Sequence, residues 1–272
     1  DEAYVTKSFS NGPSLTFGKK IVLIGGREYD YFNFDRYSVS SFYAATPANQ
    51  VGLTLSHEIA GQTFTAQYFN GNKNNGRGAS VNSQSKFGYS LGMSGSLLDG
   101  MIKPMIAYSV VPKTKGDSVS DSSTSLIGSS SATRSNSGDD AYLAAGVQVN
   151  LNSAITFELD YDLLTQKDAD LVGAAKKDAK LNSMVALVRY NSELYSPFAK
   201  LISETRKTDS TKTAQRMAYD LGVEFKESKD DAIRYHVVYS GSTVKTSMDS
   251  TELKSSPSMI MVGLKFDASI LK

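Results

Sequence analysis

A period of two restricts the fold of this chain more than any other feature. Thirteen segments of roughly ten residues, from residue 3 to residue 267, put an apolar side chain at every second position. That alternation belongs to strands with one apolar and one polar face. Segment 154–163 sets Ile155, Phe157, Leu159, Tyr161 and Leu163 against Thr156, Glu158, Asp160 and Asp162. Segment 216–225 sets Met217, Tyr219, Leu221, Val223 and Phe225 against Arg216, Ala218, Asp220, Gly222 and Glu224. Aromatic residues recur near the segment ends, as in a girdle at a membrane interface.

The connections alternate in length. Segments 3–9 and 14–23 are joined across Asn11-Gly12-Pro13, 51–58 and 63–69 across Ala60-Gly61, 86–97 and 101–111 across Asp99-Gly100, and 142–151 and 154–163 across Asn152-Ser153. Segments 181–190, 197–205, 216–225, 232–240 and 259–267 follow. Between the hairpins lie polar loops at 70–85, 113–139, 165–180, 208–215 and 245–257. A soluble β-sandwich or solenoid also alternates, but nothing in it sorts short and long connections to opposite ends. The pattern predicts an all-β fold: an antiparallel transmembrane β-barrel occupying residues 1–272 as one domain, with 13–14 strands visible. Short periplasmic turns would lie at one end and long extracellular loops at the other, and the polar faces would meet water.

Composition removes several other functions. The chain has no Cys, so it has neither disulfides nor a thiolate nucleophile. Its 29 basic and 28 acidic residues give a net charge of +1, no field for a nucleic-acid partner. No window approaches the roughly 18 continuous apolar residues of a membrane helix. His57 and His236 lie on different segments without partner spacing for a triad. Gly12 to Lys20 has the wrong spacing for a phosphate loop, and no helix pattern follows it. Neither an enzyme nor a cofactor is expected. The carboxylates Glu158, Asp160 and Asp162 read as a hydrated wall rather than a metal site, since no calcium-loop glycine accompanies them.

One connection is unlike the rest. Gly25-Gly26 opens a stretch holding Arg27, Glu28, Tyr29, Asp30, Tyr31, Phe32, Phe34, Asp35, Arg36, Tyr37, Phe42 and Tyr43. It is too aromatic for a solvated loop and too charged for a buried strand. It is expected to fold inward and narrow the lumen.

The residues around it carry a resemblance. Ala3-Tyr4-Val5, a short turn, Leu15-Thr16-Phe17-Gly18-Lys19-Lys20, a long loop and Val51-Gly52-Leu53-Thr54-Leu55 resemble the middle of the Gram-negative general-diffusion porins. The resemblance implies a trimeric barrel, with 14–16 strands when complete and sixteen in the type, whose infolded loop forms the constriction. It implies a pore constriction made of Lys19, Lys20, Arg27, Glu28, Asp30, Asp35 and Arg36. Lys103, Glu158, Asp160, Asp162, Asp220, Glu224, Arg234, His236 and Lys265 are expected to line the pore. Against a sixteen-stranded type the thirteen segments leave two accounts. Either N-terminal strands are missing, or 27–45 is a further strand of a smaller barrel. The end departs from the family too, with Phe266 nearest to its terminal aromatic.

The implied function is a water-filled outer-membrane channel for passive diffusion of small hydrophilic solutes and ions. The implied partners are outer-membrane lipid, lipopolysaccharide, those solutes and two further copies of the chain. A substrate-specific channel, or a non-channel barrel acting as an adhesin through its Ser-rich loop at 121–137, is the alternative.

Overall fold

In the computed structural model, residues 2–10, 12–30, 37–47, 49–70, 87–113, 138–167, 178–208, 212–228, 233–248 and 251–266 are described. The alternating segments become strands β1 (Ala3–Ser8), β2 (Ser14–Lys20), β3 (Gln50–Ile59), β4 (Gln62–Asn70), β5 (Phe87–Gly95), β6 (Ile102–Lys113) and β7 (Gly138–Asn150). They continue as β8 (Ile155–Gln166), β9 (Ala179–Tyr190), β10 (Tyr195–Thr208), β11 (Lys212–Phe225), β12 (Ile233–Met248), β13 (Thr251–Ser255) and β14 (Ser258–Phe266). Two four-residue helices, α1 (Arg27–Asp30) and α2 (Ser41–Ala44), lie between β2 and β3.

Each strand pairs antiparallel with the next as far as β12, and β13 and β14 both pair with β12. β13 takes the Val244–Met248 part of that strand and β14 the Ile233–Gly241 part. The break between them falls at Pro257, which has no N–H to give to a ladder. The two are halves of one stave. Among the described residues the wall therefore has thirteen staves made from fourteen strands, and residues 27–30 and 37–45 do not supply another.

Register keeps the two faces apart along every stave. On the outer row Leu159 and Leu221 are 47% and 54% exposed, while the inner neighbours Asp160 and Asp220 are 2% and 0% exposed. Outer-row aromatics form two bands. Tyr68 stacks on Phe87, and Tyr89 lies by Tyr108, toward the long-loop end; Tyr190 with Tyr195 and Phe225 with Tyr235 lie toward the turn end. The apolar zone between them is what a strand presents to hydrocarbon.

Three expectations change. β2 ends at Lys20, and Val22 and Ile24 turn inward to become fully buried. Stretches 208–215 and 245–257, expected as polar loops, are largely strand, with pairs running out to Thr208↔Lys212 and Met248↔Thr251. There the outer row is polar as well, at Lys207, Gln215, Lys245 and Ser247, so the hydropathy alternation fades while the backbone ladder continues. The inner face is also not uniformly polar. Phe69, Val111, Tyr142, Leu164 and Leu181 lie on it and form a buried cluster with Val22, Ile24 and Phe42 from the β2–β3 segment.

If the outer row meets hydrocarbon, Leu159→Arg should cost about 2–4 kcal/mol, read from denaturant unfolding in lipid vesicles. An unchanged midpoint would mean that this row does not face the bilayer core.

Candidate functional site

The candidate site is the interior, where the segment between β2 and β3 lies against the wall. Two consecutive glycines start it. Gly25 and Gly26 have φ of 87° and 86°, a region costly for other residues, and a Cβ on Gly25 would stand 2.7 Å from the Ala107 Cβ. This turn aims the next two backbone N–H groups at one carboxylate: the Arg27 amide donates to Asp160 Oδ1 at 2.7 Å and the Glu28 amide to Asp160 Oδ2 at 2.8 Å. The Arg27 guanidinium donates to the Lys103 carbonyl.

Glu28 continues the attachment. Its carboxylate takes the Lys200 ammonium at 2.5 Å, both groups buried, and accepts from the Ser40 amide at 3.1 Å and from the Ser40 hydroxyl. Lys200 also donates to the Ser38 carbonyl at 2.7 Å. Glu204 accepts from the Ser41 amide at 2.6 Å and hydroxyl at 2.9 Å, and pairs with Arg216 at 3.0 Å. Arg216 in turn donates to the Val39 carbonyl at 2.9 Å. Asp220 accepts from the Ser38 amide at 2.9 Å and from the Ser38 and Ser240 hydroxyls at 2.6 Å. Glu224 accepts from the Tyr37 hydroxyl at 2.9 Å and pairs with Arg234 at 3.1 Å and Arg189 at 3.6 Å.

Neutral contacts hold the two ends. Gln67 accepts from the Leu23 amide at 2.7 Å and donates to the Ile21 carbonyl at 3.1 Å, and Ser109 donates to the Leu23 carbonyl. The Tyr142 hydroxyl donates to the Ala45 carbonyl at 2.8 Å, and its ring meets Phe42 edge-on. Charge-assisted bonds to buried carboxylates are stronger than neutral ones. Such acceptors stand on β8, β10 and β11, so the segment is fastened to the wall rather than laid against it.

The expected site residues therefore divide. Arg27, Glu28, Asp160, Asp220 and Glu224 come together as the attachment, with Arg234 behind Glu224 and the His236 ring edge-on to Tyr37 at 5.4 Å. Asp162 is buried beside Gly26, and its Oδ1 has no hydrogen-bond partner among the described residues. Glu158 and Lys103 are half-buried on the inner row. Lys19 is a correction. It shares the outer row with Leu15 and Phe17, because register pairs it with Val51, so only Lys20 faces inward, its ammonium 5.3 Å from the Tyr4 ring centre. Asp35 and Arg36, and the side chains of Asp30 and Lys265, lie outside the described residues.

Lys200, Glu204, Arg189, Ser38, Ser40 and Ser41 belong to the site without having been singled out from sequence, and Arg216 was read only as part of a polar face. The signal for the wall residues was present. Lys200 and Glu204 alternate with Phe198 and Ile202 along the inner row of β10, where a purely structural wall has no need of opposite charges. For the three serines there was none.

Beside the attachment a cavity of about 390 Å³ opens between Tyr37, Ser38 and Val39 on one side and Ser240, Ser242, Ser258 and Met261 on the other. The described wall carboxylates of β10 and β11 point to the segment, which leaves this space bordered by hydroxyls, thioethers and the Arg216 edge.

No protein-family model and no curated protein sequence matches the chain. Solved structures do. OmpT, an outer membrane protein of Vibrio cholerae, superposes with a TM-score of 0.65 at 11% identity over 93% of this chain and 76% of its own. The fold is that of an outer-membrane β-barrel. The outer membrane channel DcaP of Acinetobacter baumannii matches with a TM-score of 0.62 at 8% identity, over 95% of this chain and 72% of its own. A porin structure matches with a TM-score of 0.53 at 13% identity, over 97% and 80%. The fold is thus an all-β barrel of the bacterial outer membrane, and at these identities the likeness extends to architecture alone.

Lys200→Met should strand the Glu28 carboxylate and cost about 3–5 kcal/mol. Glu28→Gln combined with Lys200→Met should recover part of that loss. A double-mutant cycle on unfolding midpoints reads the coupling, and additive effects would remove this pair from the attachment.

Proposed function

We propose that the chain acts in the bacterial outer membrane as a porin, a water-filled channel through which small hydrophilic solutes and ions diffuse without turnover or cofactor. The observation that carries this reading is the segment fastened inside the wall by Asp160, Lys200, Glu204, Asp220 and Glu224, with an open space left beside it. An inward segment held at one side of a barrel narrows the lumen without filling it. Pore width and the charges at the narrowest point then select solutes. On this reading the barrel is one domain, Lys20, Arg27 and Glu28 belong to the constriction, and Lys103, Glu158 and Arg234 line the pore. The apolar outer band sits in lipid. The assembly is a homotrimer, a form also described for Vibrio cholerae OmpT. No reaction is assigned to it.

Planar bilayers test the channel directly. Folded protein should give large ohmic current steps, and folded protein without conductance would refute the proposal. Lys20→Glu should shift the reversal potential toward cation preference in a salt gradient; an unchanged potential would place Lys20 away from the ion path. An SDS-resistant, heat-labile band at three times the monomer mass is expected for the trimer.

A further inference from the structure

We propose that the cavity beside Tyr37, Ser38 and Val39 is a binding subsite for a zwitterionic amino acid with an aliphatic side chain. The inference rests on the channel reading above, since the lumen is the route by which such a solute reaches the cavity, and it names the class of solute held there.

One end of the cavity accepts hydrogen bonds. Asp220 is fully buried, and its Oδ1 takes the Ser38 and Ser240 hydroxyls at 2.6 Å each. A carboxylate only accepts, so both hydroxyls give it their proton and keep lone pairs for any other group that approaches. A hydroxyl already donating to an anion is a strengthened acceptor. The group that suits these two oxygens is an ammonium, with the carboxylate's charge directly behind them. Lys200, opposite Asp220 in register, does not fill that role. Its ammonium is turned to Glu28 at 2.5 Å and to the Ser38 carbonyl at 2.7 Å.

The other end donates. Arg216 reaches the cavity edge, and its bonds to the Val39 carbonyl and to Glu204 both come from Nη1. Its Nε and Nη2 have no hydrogen-bond partner among the described residues and are not sealed from solvent. A guanidinium edge with N–H groups to give is a fork for a carboxylate. Ser38 and Val39 are consecutive, with Cα atoms about 3.8 Å apart, so the accepting and donating ends lie within the length of one small molecule. An ammonium and a carboxylate on the same carbon bring both charges within that length.

The remaining surface is apolar. Met259 and Met261 stand opposite Ser240 and Val238 in register and so belong to the inner row, where Met259 is 57% exposed. A hydrated wall has no use for exposed thioethers, whereas an aliphatic side chain packs on them, because thioethers adapt to its shape. Val39 and Val244 continue this surface. At about 390 Å³ the cavity is in the size range of small-molecule sites. A simple anion would meet the Ser38 and Ser240 oxygens with Asp220 behind them, and a simple amine would leave the Arg216 edge without a partner.

Saturation-transfer NMR of the refolded protein in detergent micelles tests the subsite with L-leucine, N-acetyl-L-leucine and L-leucinamide, which carry both charges, only the carboxylate and only the ammonium. Leucine should bind saturably, and each derivative at least about tenfold more weakly, as expected for the loss of a charge-assisted hydrogen bond. Ser240→Ala should weaken leucine binding about tenfold for the same reason. Ser242→Phe, which fills the cavity from the inner row of β12, should abolish binding, whereas Ser94→Ala on β5 should leave it unchanged. Heat-modifiable migration on gels confirms that each variant is folded. Equal binding of the three compounds, or a Ser242→Phe protein that binds leucine like the parent, overturns the proposal. Leucinamide binding as tightly as leucine would overturn the assignment of the carboxylate to Arg216. Conductance of the same preparations in planar bilayers keeps the two readings apart. Current without leucine binding removes only the subsite, and leucine binding without current removes only the channel.

Discussion

A backbone amide in hydrocarbon must find its hydrogen bond inside the protein, and the whole wall follows from that constraint. Successive strands pair in register from β1 to β12, and where Pro257 cannot donate, the stave divides into β13 and β14 instead of ending. Once the ladder is continuous, the side chains have two environments left. Leu159, Leu201 and Leu221 are exposed on the outer row, and Asp160, Lys200 and Asp220 turn to the interior and whatever fills it.

What fills it is partly the chain itself. A carboxylate on a wall in water needs no protein partner, yet Asp160, Glu204, Asp220 and Glu224 are each buried and each accept a bond from the segment between β2 and β3. Their burial is a consequence of the segment and their bonds are the means of holding it. Buried ion pairs of this kind contribute little net stability against an apolar alternative, because desolvation offsets much of the attraction. They do define where the segment lies, since any other position would leave several charges without partners. The apolar contacts of Val22, Ile24 and Phe42 with Phe69, Tyr142 and Leu181 supply the less directional part of the attachment.

Strand identity was readable because alternation reports facing directly: Phe157, Leu159 and Tyr161 could only share one side of a strand that also carries Glu158 and Asp160. The thirteen alternating segments correspond to the thirteen staves. The signal failed where its cause was absent. At Thr205 to Thr208 and Thr243 to Met248 the outer row is polar, and ladder and loop look alike in sequence. Lys19 misled for a different reason, since its place after Gly18 suggested the lumen while parity with Leu15 and Phe17 put it outside.

The sequence by itself determined the character of the wall: its alternating strands, the outer apolar rows, the ends at which short and long connections gather, and the one aromatic, charged connection unlike the rest. Only the tertiary structure decided what that connection meets. Glu28 and Lys200 are 172 residues apart in the chain and 2.5 Å apart in space, and no local pattern encodes such a pairing. Facing is set by the neighbour two residues away. Partnership across a lumen is set by how many strands intervene and where each begins, and those are properties of the assembled sheet.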